Sequence, residues 1–465
     1  MGEDSYDVVV IGCGMAGLAA GVRAAELGRD VAILEKAPED RRGGQTQFSE
    51  SFRVPSAAAD LSEYGYEFAV DDYTVDDFYD DIMDKTKGRA DPELARTLVE
   101  NAPETIEWLT DHGVSWDMEP LAVGYVAGRT WCDGRELVAT LIDRAREHSA
   151  DVFYEADVER IRRDDTAVTG VEAMIGDERQ DVQCGAVVLA CGGYESSSER
   201  RARYMGAGFD DMKVRGSRYN TGGGIDAALD AGAAATGQWS GAHMALIDAN
   251  APNVEGGANR VDGYQYGVIL NTNGERFVDE GQDARAHTYA KFGREVFQQP
   301  DHRAYIVVDD PINDLVRATG PSEPVTAESF DALVEQLAID QERALDTLER
   351  YNEACNPDEF VPEVLDGNAA TDVTPPKTNW ALPIDNPPYY AYAITGGITF
   401  TFGGIEITPR AEAVDGRGRV VPGLYAAGNS TGGLFHHNYP GGTGLMNAAV
   451  YGKLAAESAD EYLGA

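Results

Sequence analysis

Lysine is scarce in this chain, and the acidic residues outnumber all basic ones. Only 7 of the 465 residues are lysine, against 80 aspartates and glutamates, and the formal net charge is −42. Because phosphate backbones are bound by basic stripes, the composition excludes nucleic acid as a partner. The acids are dispersed rather than gathered in one tail, which favours a surface that stays hydrated in high salt. We therefore expect a halophilic protein, with an ordinary acidic enzyme as the alternative.

The patterns of membrane, secreted and haem proteins are also missing. No apolar run approaches the roughly 18 residues of a transmembrane helix. The first predicted strand begins near residue 7, which leaves no room for a signal peptide, so we expect a cytoplasmic protein. The five cysteines form no CxxC, and no disulfide framework, iron–sulfur cluster or haem is expected. No metal site is predicted either, since the adjacent His436 and His437 would point apart.

One stretch near the start has the pattern of a nucleotide-binding unit. The apolar runs Val8 to Ile11 and Val31 to Leu34 predict two buried strands. Gly12, Gly14 and Gly17 follow the first strand with GxGxxG spacing and open a helical pattern. The first glycine permits a tight turn, the second lets backbone approach a pyrophosphate, and the third allows the helix to pack on the strand.

A carboxylate and a second glycine loop follow the second strand. Glu35 stands where an acid accepts hydrogen bonds from a ribose diol, while the helix N-terminus would face the phosphates. Gly43 and Gly44, followed by Gln45 and Thr46, could bring backbone close to a cofactor. Strand, loop, helix, strand and acid together predict a dinucleotide-binding βαβ unit. The motif alone does not separate FAD from NAD.

The rest of the chain predicts an α/β fold of two domains. The apolar runs at 186–191 and 420–426 predict buried strands like those of the first unit, and a helix is predicted after the strand at 420–426. The composition changes in the middle, where Asn273-Gly274 predicts a hairpin and 327–354 is helical. We expect a discontinuous Rossmann-like cofactor-binding domain, with an inserted α+β capping domain that binds substrate. The predicted boundaries are 1–240 and 370–465 for the first domain and 241–369 for the second.

Four motifs together resemble the flavoprotein family of fumarate reductases, succinate dehydrogenases and 3-oxosteroid dehydrogenases. They are the N-terminal glycine pattern, AVVLACGGY at 186–194, NTNGERFVDE at 271–280 and GLYAAGNSTGG at 423–433. The resemblance covers nearly the whole chain and implies an FAD-dependent oxidoreductase acting on CH–CH groups. Within the family, RRGGQTQ at 41–47 and the long stretch at 375–402 are most similar to the tricarballylate dehydrogenases. This implies removal of two hydrogens from tricarballylate to give cis-aconitate.

The resemblance also implies how the cofactor is held. Gln45 stands where membrane-bound members carry the histidine attached to FAD, so noncovalent FAD is expected. Electrons would pass to a separate electron-accepting protein or a quinone pathway. The residues implied for FAD are Gly12, Gly14, Gly17, Glu35, Gly43, Gly44, Gln45, Thr46, Gly192, Gly428, Asn429, Gly444 and Leu445.

Catalytic and substrate residues are carried over in the same way. Arg276, in the RFVDE motif, would move the proton at the substrate carbon while hydride leaves the adjacent carbon for the flavin. His243 would bind a substrate carboxylate, and Tyr439 would donate to a carboxylate or accept a proton. Arg215, Arg218 and Arg260 are further candidates for binding a small-molecule carboxylate, because guanidinium groups bind carboxylates bidentately. Thr399 is the last candidate substrate-binding residue.

Two departures from the family pattern leave alternatives open. Thr399 and Tyr439 stand where fumarate reductases carry a histidine and an arginine that bind a dicarboxylate, which argues against simple fumarate or succinate chemistry. A tyrosine at this position also resembles the 3-oxosteroid dehydrogenases. The alternatives are therefore a 3-oxosteroid dehydrogenase or a fumarate- or urocanate-type enoate reductase. A flavin-binding protein without turnover is disfavoured by the intact RFVDE motif.

Overall fold

The computed structural model describes residues 5–57, 59–60, 69–70, 72–116, 129–254 and 259–464. Its helices are α1 (Met15–Glu26), α2 (Val75–Lys85), α3 (Pro92–Asp111), α4 (Gly134–Glu147), α5 (Ser198–Met205), α6 (Gly223–Asp230), α7 (Arg285–Phe297), α8 (Asp310–Asn313), α9 (Phe330–Val334), α10 (Gln341–Ala354) and α11 (Thr443–Gly464). Its strands are β1 (Ser5–Ile11), β2 (Val31–Leu34), β3 (Ser51–Arg53), β4 (Ala59–Asp60), β5 (Ala69–Val70), β6 (Arg129–Trp131), β7 (Asp151–Phe153), β8 (Ala156–Arg163), β9 (Val168–Ile175), β10 (Glu178–Leu189), β11 (Lys213–Val214), β12 (Ala235–Asp248), β13 (Val261–Asp262), β14 (Val268–Asn271), β15 (Ala304–Asp309), β16 (Arg317–Ala318), β17 (Val325–Ala327), β18 (Tyr389–Ile405), β19 (Glu412–Val414) and β20 (Val420–Ala426). No helix among the described residues is long and apolar enough to cross a membrane.

Parallel strands from both ends of the chain build the larger sheet. Its order is β19-β20-β10-β1-β2-β7, and β20, β10, β1, β2 and β7 run parallel. The three valines at 8–10 of β1 are fully buried, as expected for a central parallel strand covered on both faces. This topology, with helices between the strands, confirms the predicted α/β class.

The first βαβ unit forms as predicted. α1 begins directly after Gly14 and ends at Glu26, and Gly28 has φ = +84°, the left-handed conformation that ends many helices. The helix is buried along nearly its whole length because β1 lies beneath it and α11 packs beside it. The sequence pattern and the tertiary packing therefore agree in this region.

A second sheet is organised around the long strand β18. β12, β15 and β17 pair with it antiparallel, and β11 pairs with it parallel. In this register, His243 of β12 lies opposite Phe400 of β18, beside Thr399. Since β11 and β18 lie outside 241–369, this sheet draws strands from both sides of the predicted domain boundaries, and the boundaries stay a prediction.

Two local predictions in the middle of the chain are corrected. The predicted hairpin has only one strand, β14, because Asn271 Oδ1 accepts hydrogen bonds from the backbone of Asn273 and Glu275 and closes the chain into a turn. Beyond that turn a single bridge joins Leu270 to Arg276. The predicted helix at 327–354 is two helices, α9 and α10, and Asp340 caps the second by accepting from the Arg343 backbone.

Candidate active site

A cleft of about 830 Å³ opens at the carboxyl ends of the parallel strands. Ile11, Leu34, Ala190 and Ala427, which end or directly follow β1, β2, β10 and β20, all line it. Ligands of doubly wound sheets bind at this edge, where loops and helix N-termini converge. We call this the first cleft.

Glycines keep the floor of the first cleft open. Gly12 has φ = +104°, and a Cβ there would lie 2.5 Å from the carbonyl oxygen of Ala190. A Cβ on Gly17 would lie 2.0 Å from the carbonyl oxygen of Gly12, so helix and strand could not approach each other. Gly12 and Gly14 line the cleft, whereas Gly17 packs behind it. These positions match the predicted roles of the three glycines.

Hydrogen bonds fix two of the polar side chains of the first cleft, Glu35 and Thr46. The Glu35 carboxylate accepts from the backbone N–H groups of Cys13 at 2.9 Å and Ala37 at 2.8 Å. Burial raises the pKa of Glu35 above its ordinary value, although these two N–H groups lower it. Thr46 Oγ1 accepts from the backbone of Met15 at 2.8 Å and so ties the glycine loop to the start of α1.

A second cleft of about 760 Å³ adjoins the first. Gln45, Thr46, Asn429 and Ala448 line both clefts, so the two spaces meet there. The charged and aromatic residues of the second cleft are Phe48, Glu50, Arg215, His243, Arg260, Arg285, Tyr289, Phe400 and Tyr439.

Two of the three arginines in the second cleft are paired with carboxylates. Arg285 donates from Nε to Asp262 Oδ1 at 2.8 Å, and its side chain is only 3% exposed. Arg260 pairs with Glu50, and its Nε lies 3.7 Å from Asp262 Oδ2. Burial would lower the pKa of Arg285, but Asp262 and neighbouring tyrosines outweigh burial and raise it.

Arg215 is the arginine of this cleft without a carboxylate partner among the described residues. It is buried, and its Nε has no hydrogen-bond partner there. Burial and the charge of Arg260 lower the pKa of Arg215 to about 10, so it remains a cation at neutral pH. A buried cation of this kind favours an anionic ligand.

His243 is a neutral imidazole in an aromatic box. It stacks on Phe400 at 5.3 Å between ring centroids and meets Tyr289 and Tyr439 edge-on at 5.1 and 4.9 Å. Burial, reinforced by the nearby arginines, holds its pKa well below the ordinary value. Neither ring nitrogen has a partner among the described residues, so both remain available to a ligand.

Tyrosine hydroxyls complete the second cleft. Tyr289 on α7 and Tyr439 in the loop before α11 lie 3.0 Å apart at their oxygens, within hydrogen-bond distance. The Arg285 guanidinium lies over the Tyr289 ring at 4.6 Å from the centroid. Guanidinium, phenol and imidazole groups are therefore gathered around one space.

Most of the predicted site residues are brought together by the fold. The predicted FAD residues that line the first cleft are Gly12, Gly14, Glu35, Gly44, Gln45, Thr46, Gly192, Gly428 and Asn429. Gly43 packs against Val138 behind it, and Gly444 and Leu445 line the second cleft instead. The predicted substrate residues in the second cleft are Arg215, His243, Arg260, Thr399 and Tyr439.

Arg218 does not reach either cleft. It lines a separate surface depression together with Arg41, Arg135 and Tyr219. The neighbouring Arg215 follows β11, which pairs with β18 and so carries it into the second cleft.

Arg276 also lies outside the lining of both clefts, contrary to its predicted role. Its guanidinium forms an ion pair with Glu280 in which the two side chains are 2% and 0% exposed. It lies 5.4 Å from the Tyr351 ring centroid and donates to the carbonyl oxygen of Pro375. Every side of this guanidinium is occupied by protein groups, which is the environment of a structural ion pair.

Arg285 was not among the predicted residues, yet it lines the second cleft. It is the first residue of α7, where a positive charge opposes the helix dipole. An arginine in that unfavourable position, two residues after Asp283, was the one available signal in the sequence. Asp262 supplies the compensating charge from a distant segment, and this pairing could not be read from local spacing.

The residues of the first cleft fit FAD. Glycines admit a pyrophosphate to the start of α1, and Glu35 is held in place as an acceptor for ribose hydroxyls. Asn429 Oδ1, where the clefts meet, is buried without a partner among the described residues. The continuous space gives a dinucleotide a path from the strand ends to the aromatic box of the second cleft.

Known proteins match both the sequence and the fold. The NADH:fumarate oxidoreductase of Klebsiella pneumoniae (strain 342) is 28% identical over 469 residues, which cover 98% of this chain and 48% of the relative. The chain therefore spans about half the length of that protein. The fumarate reductase (cytochrome) of Shewanella frigidimarina is 28% identical over 484 residues, covering 99% of this chain and 78% of the relative.

The fold is also that of a solved steroid enzyme. The 3-ketosteroid delta1-dehydrogenase of Sterolibacterium denitrificans superposes with a TM-score of 0.77 at 19% identity, covering 98% of this chain and 99% of that one. Residues 7–445 match the family described as FAD binding domain. The predicted cofactor FAD and the predicted enzyme class, FAD-dependent oxidoreductases acting on CH–CH groups, are confirmed at the level of the family. The chain belongs to the FAD binding domain family and is similar to the fumarate reductases.

Proposed function

We propose that this protein is an FAD-dependent dehydrogenase that removes two hydrogens from adjacent carbons of a small polycarboxylate, converting tricarballylate to cis-aconitate. The observation that carries the proposal is the unpaired, buried Arg215 beside two further arginines in the second cleft. Arg215 can bind a substrate carboxylate in the bidentate manner, while Arg260 and Arg285 keep their carboxylate partners beside it. Thr399 and Tyr439 line the same cleft.

The charge of the second cleft distinguishes the candidate substrates. Arg215, Arg260 and Arg285 face the carboxylates of Glu50 and Asp262, so the cluster keeps one uncompensated positive charge. His243 adds no charge because its pKa is held well below the ordinary value. An uncompensated cation in a buried cleft is costly for a steroid ligand and favourable for a polyanion. This argues against the 3-oxosteroid alternative.

We assign the proton transfer to Arg285 instead of Arg276. Bound FAD would supply the acceptor for the hydrogen that leaves with its electron pair. Arg285 lines the cleft, and Asp262 holds its guanidinium in one orientation. Behind it, Asp262, Arg260 and Glu50 form an alternating row of acid and base groups, and Glu50 is 40% exposed. As Arg285 takes the proton from the substrate carbon, it would pass its own proton to Asp262, and one proton can then leave along this row to solvent.

His243, Tyr289 and Tyr439 would position the substrate. The unpartnered imidazole can donate one hydrogen bond and accept another, and the tyrosine hydroxyls lie close enough to share a carboxylate oxygen. The aromatic box also excludes water around the reacting carbons, which strengthens the arginine contacts.

A second candidate is the same chemistry run in reverse, the reduction of an enoate. The raised pKa of Arg285 favours it, because a guanidinium held protonated at rest is ready to donate a proton to carbon. The fumarate-reducing relatives support the same direction. In both directions the residues have the same positions, and only the electron source or acceptor differs.

The remaining proposals concern the cofactor and its surroundings. We propose that FAD is noncovalent, because the Gln45 amide bonds to the Ser217 backbone and the Thr399 carbonyl and is not a nucleophile. We propose that 1–240 and 370–465 hold FAD and 241–369 caps the substrate, since all three segments line the second cleft. The dispersed acidity supports a salt-adapted protein, and we also propose that it is cytoplasmic and passes electrons to a separate electron-accepting protein or a quinone pathway.

The test is anaerobic reduction of the holoenzyme by a panel of substrates. Tricarballylate should bleach the flavin absorbance near about 450 nm, succinate should not, and a 3-oxosteroid should not. Chemically reduced enzyme should in turn be reoxidised by cis-aconitate. Bleaching by the steroid alone would overturn the polycarboxylate proposal. Reoxidation by an enoate without any bleaching by tricarballylate would favour the reductase.

A further inference from the structure

Three potential metal ligands from distant parts of the chain meet on the surface of the larger sheet's helices. The nitrogen and oxygen atoms that Glu26, His112 and His148 can offer all lie within 4.8 Å of one another. The cluster lies at the C-terminal end of α1, about 18 Å along the helix from the end that faces the first cleft. We propose that these three side chains bind one divalent transition metal ion, with Zn²⁺ the best match.

The position of the cluster favours a cation. Glu26 is the last residue of α1, His112 directly follows α3, and His148 directly follows α4. Each helix C-terminus carries a partial negative charge from its unpaired carbonyl groups. Three such ends converge on one point, in addition to the carboxylate of Glu26.

Hydrogen bonds from neighbouring groups orient two of the three ligands. His112 Nδ1 lies 2.7 Å from the carbonyl oxygen of Trp108 and therefore donates to it, which directs Nε2 toward Glu26. The Trp108 indole N–H donates to Glu26 Oε2 at 3.1 Å and turns the other oxygen, Oε1, toward His112. Ligands of metal sites are held by outer hydrogen bonds of this kind.

Both ring nitrogens of His112 face an acceptor oxygen, so its contact with Glu26 needs either a second N–H group on the ring or a cation between the two side chains. His112 Nε2 lies 2.9 Å from Glu26 Oε1, while Nδ1 already faces an acceptor. A neutral imidazole has a single N–H and cannot donate to both. Either the two side chains form an ion pair, or a cation lies between Nε2 and the carboxylate. Donor atoms around a tetrahedral zinc ion are about 3.3 Å apart, so this pair is close to the required spacing.

His148 decides between these two interpretations. Its ring centroid lies 6.4 Å from that of His112, and its nitrogens have no hydrogen-bond partner among the described residues. Its side chain is exposed, so the ring can rotate toward the other two ligands. An ion pair between His112 and Glu26 does not involve His148. A zinc site with three protein ligands and one water requires it.

The test is zinc binding by the tag-free, FAD-loaded protein. Calorimetric titration with Zn²⁺ should give one site per chain, and Mg²⁺ should give none because it prefers oxygen ligands. His148→Asn should weaken Zn²⁺ binding at least tenfold, while His437→Asn, which removes another exposed histidine, should leave it unchanged. Zn²⁺ should raise the Tm of the wild type and of His437→Asn, but not that of His148→Asn.

A further variant tests the orienting hydrogen bond. Trp108→Phe removes the indole donor to Glu26 and should weaken Zn²⁺ binding about 10- to 100-fold, with the FAD content unchanged. Absence of saturable Zn²⁺ binding, or equal binding by the His148 and His437 variants, would overturn the proposal. In that case the cluster is a protonated His112 paired with Glu26 at three helix ends.

Discussion

Replacing Arg285 and Arg276 in parallel should separate a catalytic arginine from a structural one. Arg285→Lys keeps a positive charge opposite Asp262 but removes the planar fork that reaches into the second cleft. Loss of a positioned acid–base group costs typically 10²- to 10⁴-fold in rate, or about 3 to 5 kcal/mol in the barrier. We therefore expect turnover to fall by at least 10²-fold with FAD content and Tm close to the wild type.

Arg276→Met, the matched variant, should show the opposite pattern. It leaves the Glu280 carboxylate, which is fully buried, with the backbone N–H of Ile269 at 2.9 Å as its one remaining hydrogen-bond donor in the described part of the chain. Breaking a buried ion pair from one side costs about 3–5 kcal/mol of folding free energy. The Tm should fall by several degrees, whereas the turnover of the protein that remains folded should stay within about tenfold of the wild type.

The assay measures anaerobic flavin bleaching by the acid that reduces the wild-type enzyme fastest, normalised to bound FAD, with Tm measured on the same samples. The reasoning is refuted if Arg285→Lys retains turnover within tenfold of the wild type. It is equally refuted if Arg276→Met loses turnover at an unchanged Tm, since the proton transfer would then return to Arg276.

Four further outcomes are expected. Arg215→Gln should raise KM for tricarballylate by at least tenfold with a smaller change in kcat, measured by steady-state kinetics; an unchanged KM would remove Arg215 from the substrate site. Burial raises the pKa of Glu195 to about 7, so the folded protein loses stability as pH rises from the unfolded-state pKa of about 4.3 toward 7; Glu195→Gln should flatten the Tm profile across this window. Acid precipitation should release all flavin into the supernatant, and yellow colour in the pellet would contradict the proposal based on Gln45. The Tm should climb from dilute buffer to molar salt because the net charge of −42 is then screened, and a flat profile would argue against salt adaptation.

The sequence predicted the parts of this structure that depend on local spacing. The turn at Gly12, the end of α1 before Gly28 and the acid at Glu35 follow from short-range sterics and hydrogen bonding, and the structure has them at the predicted residues. The family resemblance added His243 and Tyr439, whose ring centroids lie 4.9 Å apart in one aromatic box.

Sequence reasoning missed Arg285 because its role depends on Asp262, a partner 23 residues away in sequence. Arg276 and Arg285 lie nine residues apart, and both have acidic residues nearby in sequence, so local spacing could not rank them. The first pairs with Glu280 inside the protein, and the second pairs with Asp262 at the edge of the cleft. The cluster of Glu26, His112 and His148 was equally out of reach, because it depends on where three helices end.

In high salt, the negatively charged surface does not prevent a polyanion from binding in the positively charged cleft. At 0.1 M salt the Debye length is about 10 Å, so the net charge of −42 would repel a tricarboxylate that comes within about that distance of the surface. At molar salt the Debye length falls to about 3 Å, and this repulsion is lost before the substrate reaches the cleft. Arg215 and Arg285 are buried, and ions screen buried charges far less than exposed ones. Salt therefore weakens the repulsion by the surface more than the attraction by the cleft, and an acidic protein can bind a polyanion under these conditions.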